Sequence, residues 1–293
     1  QIGSELVPAL RDRHGAEAVV STFHRKQPPS DGGIVEHLDS TDAAQLGDLL
    51  DRHEVGTIYH LAAMLSATGE ADPQAAWDVN MGSLYAVLEA ARARDCALFF
   101  PSSIGAFGPG TPLDHTPQDT LQRPNTIYGV SKVSGELLCD YYAHRFGLDT
   151  RGLRYPGLIS YVTPPGGGTT DYAVEIFYHA LRDGRYSCFL APDTRLDMMY
   201  MPDATRAAIE LMVADPAALT HRNAFNVTAM NVTPAELAEA IRVHIPNFTI
   251  TYDVDPVRQA IAESWPNSMD DSEARTQWGW APHYDLAAMV ADM

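Results

Sequence analysis

Strand-like and helix-like segments alternate through the first two thirds of the chain, and this limits the fold more than any other feature. Residues 4–14 read as a helix that stops at Gly15, 18–22 as a buried strand, 43–53 as an amphipathic helix and 57–60 as a short strand. Residues 75–94 form a long helix with Ala76, Val79, Leu84, Val87, Leu88 and Ala91 available for one buried face. A strand at 97–101, a second long helix at 128–146 and a strand at 150–155 complete the series. Strands separated by helices of this length join through right-handed crossovers and lie parallel. The expected fold class is α/β, a doubly wound parallel sheet.

After Tyr155 the rhythm changes. A Pro/Gly-rich loop at 163–170 leads into a helix near 171–183. Helical spacing returns at 202–214 and strand-like sequence at 224–227, and Thr233 with Glu236 has the spacing of a capping box. For 293 residues, one large domain with a lobe attached is the natural organisation. The nucleotide-binding part is expected at 1–155 with a returning segment at about 185–227. A smaller C-terminal substrate lobe takes about 156–184 and 228–293.

Charge and cysteine content narrow the partners. The formal net charge of −18 repels phosphate backbones, so a nucleic-acid partner is not expected. No stretch reaches the roughly 18 apolar residues of a membrane helix, and no charged N-terminus leads into an apolar run. Cys96, Cys139 and Cys188 are far apart and read as buried free thiols in a reducing compartment, the cytoplasm. The histidines show no paired ligand spacing, so no metal site is expected.

The chain opens Gln1-Ile2-Gly3-Ser4 and runs straight into a helix. A dinucleotide-binding sheet starts with a strand and a glycine-rich turn before such a helix. Gly3 suits the last glycine of that turn. The expectation is therefore a fragment of a longer protein, without its first strand and first two glycines.

The main chemical signal is Tyr128-Gly129-Val130-Ser131-Lys132. On a helix the Tyr and Lys share a face, and an ammonium beside a phenol favours phenolate, which can take a proton from an alcohol. Upstream, Pro101, Ser102 and Ser103 end a buried strand, where α/β sheets place their sites. Ser103 can hydrogen-bond the same substrate oxygen. His60-Leu61-Ala62-Ala63 ends another strand in small residues that let a cofactor approach the backbone. Asn80, with Gly82, places a polar side chain within the long helix, where it can kink the helix and orient the Lys through water.

This combination resembles the extended short-chain dehydrogenase/reductase superfamily along nearly the whole chain, with a Rossmann nucleotide-binding domain. Segments 165–176, Met198 to Asp203 and Ser264 to Trp280 narrow the likeness to the short-chain L-threonine 3-dehydrogenases. The resemblance implies oxidation of the C3 hydroxyl of L-threonine to 2-amino-3-oxobutanoate, with hydride passing to NAD+. It makes Tyr128 the general base, Lys132 its electrostatic partner and ribose ligand, Ser103 the holder of the reacting oxygen, and Asn80 a support for the proton relay. It sets Gln1, Ile2 and Gly3 near the pyrophosphate, and Leu38 and Asp39 at the adenine. Leu61, Ala62 and Ala63 then follow the phosphate and ribose path, with Asn80, Pro101, Ser102, Tyr128 and Lys132 also on the cofactor side. Tyr155, Pro156 and Leu158 flank the nicotinamide. Ser66, Ser103, Tyr128, Gly168, Thr169, Thr170 and Trp265 are the substrate candidates, and the 163–170 loop is a lid candidate.

One further departure stands out. NAD-specific enzymes often carry Asp or Glu at the end of the second strand, to hold the ribose hydroxyls. This chain reads Ser21-Thr22-Phe23-His24-Arg25-Lys26, with no acid, and Arg25 or Lys26 leaves NADP open. Competing readings are a sugar-nucleotide epimerase or dehydratase, for which no Arg cluster is visible, and a non-catalytic cofactor-binding protein of the same fold. The resemblance also implies a homodimer through helices 75–94 and 128–146.

Overall fold

The computed structural model describes residues 1–25, 27–28 and 32–293. Its elements run α1 (Ile2–His14), β1 (Val20–Phe23), β2 (Ile34–His37), α2 (Ala43–Arg52), β3 (Thr57–Tyr59), α3 (Ser66–Ala71), α4 (Pro73–Arg94), β4 (Ala97–Ser103), α5 (Ile127–Phe146), β5 (Thr150–Tyr155) and β6 (Gly157–Ile159). Then follow α6 (Tyr172–Asp183), β7 (Arg185–Cys188), β8 (Leu196–Tyr200), α7 (Met201–Val213), β9 (Phe225–Asn226), β10 (Met230–Val232), α8 (Pro234–His244), β11 (Thr249–Tyr252), α9 (Pro256–Ala262), α10 (Ser272–Trp278) and α11 (Leu286–Asp292).

The central ladder is β3-β4-β5-β9, parallel throughout. β1 and β2 form a separate parallel pair, from Val20↔Ile34 to Phe23↔His37. Among the described residues no ladder joins this pair to the four strands.

β4 shows why the sheet is covered on both faces. Its side chains alternate, and all of Leu98, Phe99 and Phe100 are apolar and buried. Leu98 and Phe100 pack with Leu84, Val87 and Leu88 of α4 and with Cys139 and Tyr142 of α5. Phe99 faces the other way, with Leu6 and Leu10 of α1 and Ala204, Ala207 and Ala208 of α7. The helices are bounded by local chemistry. Asp42 caps α2 by accepting from the N–H groups of Ala44 and Gln45. Asp72 caps α4, with Pro73 at its first turn. The capping box at Thr233 and Glu236 is present on α8.

A third core belongs to the lobe. Tyr172, Ile176, Phe177, Leu196, Met198, Tyr200, Leu237, Ile241 and Trp265 pack together with Ile104 and Phe107, which follow β4. The segment 185–227 divides between two cores. Tyr186, Cys188, Leu196, Met198 and Tyr200 lie in the lobe cluster, whereas Met199, Met201, Leu211 and Phe225 lie under the sheet with α1. Cys96, Cys139 and Cys188 are buried free thiols. No helix among the described residues is long and apolar enough to cross a membrane.

Candidate active site

The site is built where β4 ends and α5 begins. Thr126 caps α5, its hydroxyl accepting the Gly129 N–H at 3.1 Å. Gly129 is required by contact, because a Cβ there would lie 2.2 Å from the Gly105 carbonyl oxygen. The first turn of α5 is thereby held against the single 3₁₀ turn Ile104–Ala106 that follows Ser103. That approach puts the Tyr128 ring over Gly105. A Cβ on Gly105 would lie 3.1 Å from the ring at Cε1 and 3.5 Å from Ser103 Oγ, so the two side chains flank one point.

Lys132 sits one turn below Tyr128 and is 6% exposed. Its Nζ donates to the Pro101 carbonyl oxygen at 2.6 Å and lies 5.4 Å from the Tyr128 ring centre and 4.9 Å from that of Phe100. Burial pulls the Lys132 pKa down to about 8, and the Glu136 carboxylate, one further turn along α5, opposes that fall. Burial pushes Tyr128 up, and only the Ser103 hydroxyl pulls it back. Burial therefore outweighs the lowering expected from Lys132. The ammonium is turned to the Pro101 carbonyl, and desolvation dominates the phenol.

Asn80 lies within α4, which continues through it unbroken. Its Oδ1 accepts the Met64 N–H at 2.7 Å, and its Nδ2 donates to the Met64 carbonyl at 3.2 Å and to Ser131 Oγ at 3.1 Å. Ser131 in turn donates to the Tyr128 carbonyl at 2.7 Å. Asn80 thus ties the loop after β3 to the turn that carries the tyrosine, by direct contact. Its direct partners are Met64 and Ser131.

Two substrate candidates far apart in sequence meet: Ser66 Oγ and Thr169 Oγ1 are 3.3 Å apart, both buried. The loop before α6 is wound on Asp171, whose Oδ2 accepts the Gly167 and Gly168 N–H groups, each at 2.7 Å. Gly167 has φ +95° and abuts Thr68, so this position requires glycine. Thr170 packs on Gly157.

At the start of the chain, Gln1, Ile2 and Gly3 form the first turn of α1. Gly3 faces the Leu61 side chain, and Gln1 Nε2 is buried with no hydrogen-bond partner. An orphaned donor at a helix N-terminus fits a phosphate group, so the residues present suit a dinucleotide. Ala62 is exposed and Ala63 half-buried. Asp39, two residues beyond β2, accepts from the Thr41 backbone and hydroxyl, while Leu38 is buried under α2 and α4. Pro156 is buried, and Leu158 packs against the α1 core.

Three candidates are not drawn into the Tyr128 cluster. Ser102 points to the opposite face of β4 from Ser103, and its hydroxyl bonds Glu136. The Tyr155 hydroxyl donates to the Ala204 carbonyl at 2.8 Å. Trp265 packs inside the lobe core. Lys26 lies outside the described residues.

Sequence reasoning missed the support beneath the site. Arg154 forms a buried pair with Glu136 at 2.8 Å, joined by Gln122, Ser102 and Asn226. His60 is held neutral by burial, its pKa brought down to about 3, and bonds Ser83 at 3.2 Å. The four-residue repeat Tyr128, Lys132, Glu136 was the available signal for the first of these.

The chain matches the model of the NAD dependent epimerase/dehydratase family over residues 1–228. It belongs to that family. Solved structures of other members align along its full length. It is similar to the L-threonine dehydrogenase of Clostridium difficile (54% identity, TM-score 0.98, covering all of this chain and 92% of that one). It is likewise similar to the GalE-like L-threonine dehydrogenase of Cupriavidus necator in its holo form (51% identity, TM-score 0.98, covering all of this chain and 95% of that one). A relative from Staphylococcus saprophyticus, an uncharacterised epimerase/dehydratase, is 53% identical over 298 residues, spanning all of this chain and 92% of its own length. Ser103, Tyr128 and Lys132 lie together at the end of β4, the edge at which such sheets place their ligands.

Proposed function

We propose that this chain oxidises the C3 hydroxyl of L-threonine to 2-amino-3-oxobutanoate, with NAD+ as hydride acceptor. The observation that carries the chemistry is the Ser103–Tyr128–Lys132 cluster at the end of β4, in which Lys132 is buried and the two hydroxyl-bearing residues are half-buried. The substrate follows from the L-threonine dehydrogenases to which the chain is similar over its whole length. The bound nicotinamide supplies the carbon that accepts the hydride from C3. Ser103 holds the hydroxyl oxygen, and Tyr128 takes its proton. The Lys132 ammonium offsets the charge left on the phenolate, and Asn80 and Ser131 brace the turn on which the tyrosine sits. We assign the paired hydroxyls of Ser66 and Thr169 to the amino-acid end of the substrate.

The test is NADH formation, read at about 340 nm, from L-threonine and NAD+. Activity that falls by about 10²–10⁴ in Tyr128→Phe is expected for loss of a general base. Absence of any threonine-dependent NADH, or full activity in Tyr128→Phe, overturns the reading.

We further place the protein in the cytoplasm, consistent with its three buried thiols, and infer a homodimer. Trp77 and Tyr85 on α4 and Leu137 and Tyr141 on α5 stay exposed at helical spacing, which is a face suited to a second copy. One similar structure is a monomeric L-threonine 3-dehydrogenase, 42% identical. Light scattering at micromolar concentration decides, and a monomer mass refutes the dimer.

A further inference from the structure

The far end of the cofactor track carries chemistry that threonine oxidation does not use. In dinucleotide-binding sheets an acid about 20 residues beyond the last glycine of the first turn holds the adenosine ribose hydroxyls, whereas an Arg nearby accommodates a 2′-phosphate. Twenty residues beyond Gly3 stands Phe23, the last residue of β1. Its ring packs edge-on against His37, the last residue of β2, at 5.6 Å.

Neither acid nearby contacts Arg25. Asp39 Oδ1 accepts the Thr41 N–H at 3.0 Å and the Thr41 hydroxyl at 2.7 Å, and its Oδ2 lies 3.7 Å from His24 Nε2. Glu36 is paired with Arg52 and with His53. The basic side chains, His24 and Arg25, are exposed. The His24 ring lies 6.0 Å from that of His37. Arg25 follows at the strand end, exposed and without a hydrogen bond or ion pair among the described residues. Arg25 thus brings a positive charge to a strand end where Asp39 supplies a negative one beside His24. A guanidinium with a free planar fork is suited to a phosphate monoester.

We propose that the end of β1 is a 2′-phosphate site, so that the adenosine pocket takes NADP(H) at least as well as NAD(H), with Arg25 as the principal phosphate ligand and His24 beside it. The proposal rests on the dinucleotide site of the preceding reading and is independent of the threonine assignment.

Calorimetric titration of the full chain with adenosine 2′,5′-bisphosphate and with adenosine 5′-monophosphate isolates the 2′-phosphate from the rest of the cofactor. The bisphosphate is expected to bind on the order of tenfold more tightly, as charge-assisted bonds to phosphate do. Arg25→Ala should remove most of that gap and leave monophosphate binding unchanged. Phe23→Asp should reverse the preference. Arg25 is exposed, so its variant keeps the test open if Phe23→Asp does not fold. Equal or tighter binding of the monophosphate, a gap that survives Arg25→Ala, or no binding of either nucleotide overturns the proposal. A wrong substrate assignment shows instead as absent threonine-dependent NADH, with these titrations unaffected.

Discussion

Replacing Lys132 by methionine keeps the shape of the side chain and removes its charge. Lys132 is buried, and its pKa is brought down from 10.5 to about 8, which corresponds to about 3 kcal/mol against the buried ammonium. The sign follows from linkage. The folded pKa is below the unfolded one, so below pH 8 both states are protonated and the fold carries the whole cost. Between about pH 8 and 10.5 the unfolded chain binds the extra proton, and stability of the natural protein rises. Lys132→Met never carries this cost but loses the bond to the Pro101 carbonyl, a loss of about 1–3 kcal/mol. At pH 7 the variant should therefore be as stable as the natural protein, or more stable by about 1–2 kcal/mol. The natural protein should then gain on the variant by about 1.4 kcal/mol at pH 9 and about 3 kcal/mol near pH 10.5. Urea unfolding of both proteins at pH 7, 8, 9 and 10 measures this slope. A difference that stays flat with pH, or a variant several kcal/mol less stable at pH 7, refutes the reasoning. The same variant should be inactive in threonine oxidation.

Asn80→Ala strands the Met64 and Ser131 groups and should cost about 1–3 kcal/mol in thermal unfolding, with kcat reduced because the Tyr128 turn loses its brace. Glu136→Gln leaves Arg154 buried without its counter-charge and should destabilise by about 3–5 kcal/mol in urea titration. Gly105→Ala pushes on the Tyr128 ring from 3.1 Å, so kcat should fall by up to about 10²-fold while KM changes little. Burial raises the Cys96 and Cys139 pKa values and brings Cys188 to about 11, so a thiol reagent at neutral pH should titrate these three only after unfolding.

The helices on the sheet and the strand ending at Ser103 were legible because their side-chain periods are strong and their ends carry Gly, Asp or Thr caps. The strand at 150–155 coincides with β5 (Thr150–Tyr155), which is buried throughout. β2, β6, β7, β8 and β10 were not anticipated, since each has five residues or fewer and only pairing identifies it. Within the site, Tyr128 and Lys132 announce themselves by helical spacing and Ser103 by its place at a strand end. The partners of Asn80 could not be read, because Met64 contributes only its backbone. Ser102 and Ser103 look equivalent in sequence, yet the pleat sends them to opposite faces, one to Glu136 and the other to the tyrosine. Trp265 sits in a motif suggestive of substrate binding, but its ring is needed to fill the lobe core.

β8 has a consequence for turnover. Leu196, Met198 and Tyr200 fill the lobe core, while Met199 and the adjoining Met201 fill the core beneath the sheet. A single strand serves as a common wall, so swinging the lobe about the β8–α7 junction would open voids on both sides at once, and close-packed interiors resist that. A hinge at that junction would therefore have to repack both cores. Opening the proposed 163–170 lid, by contrast, requires only the Ser66–Thr169 contact to part.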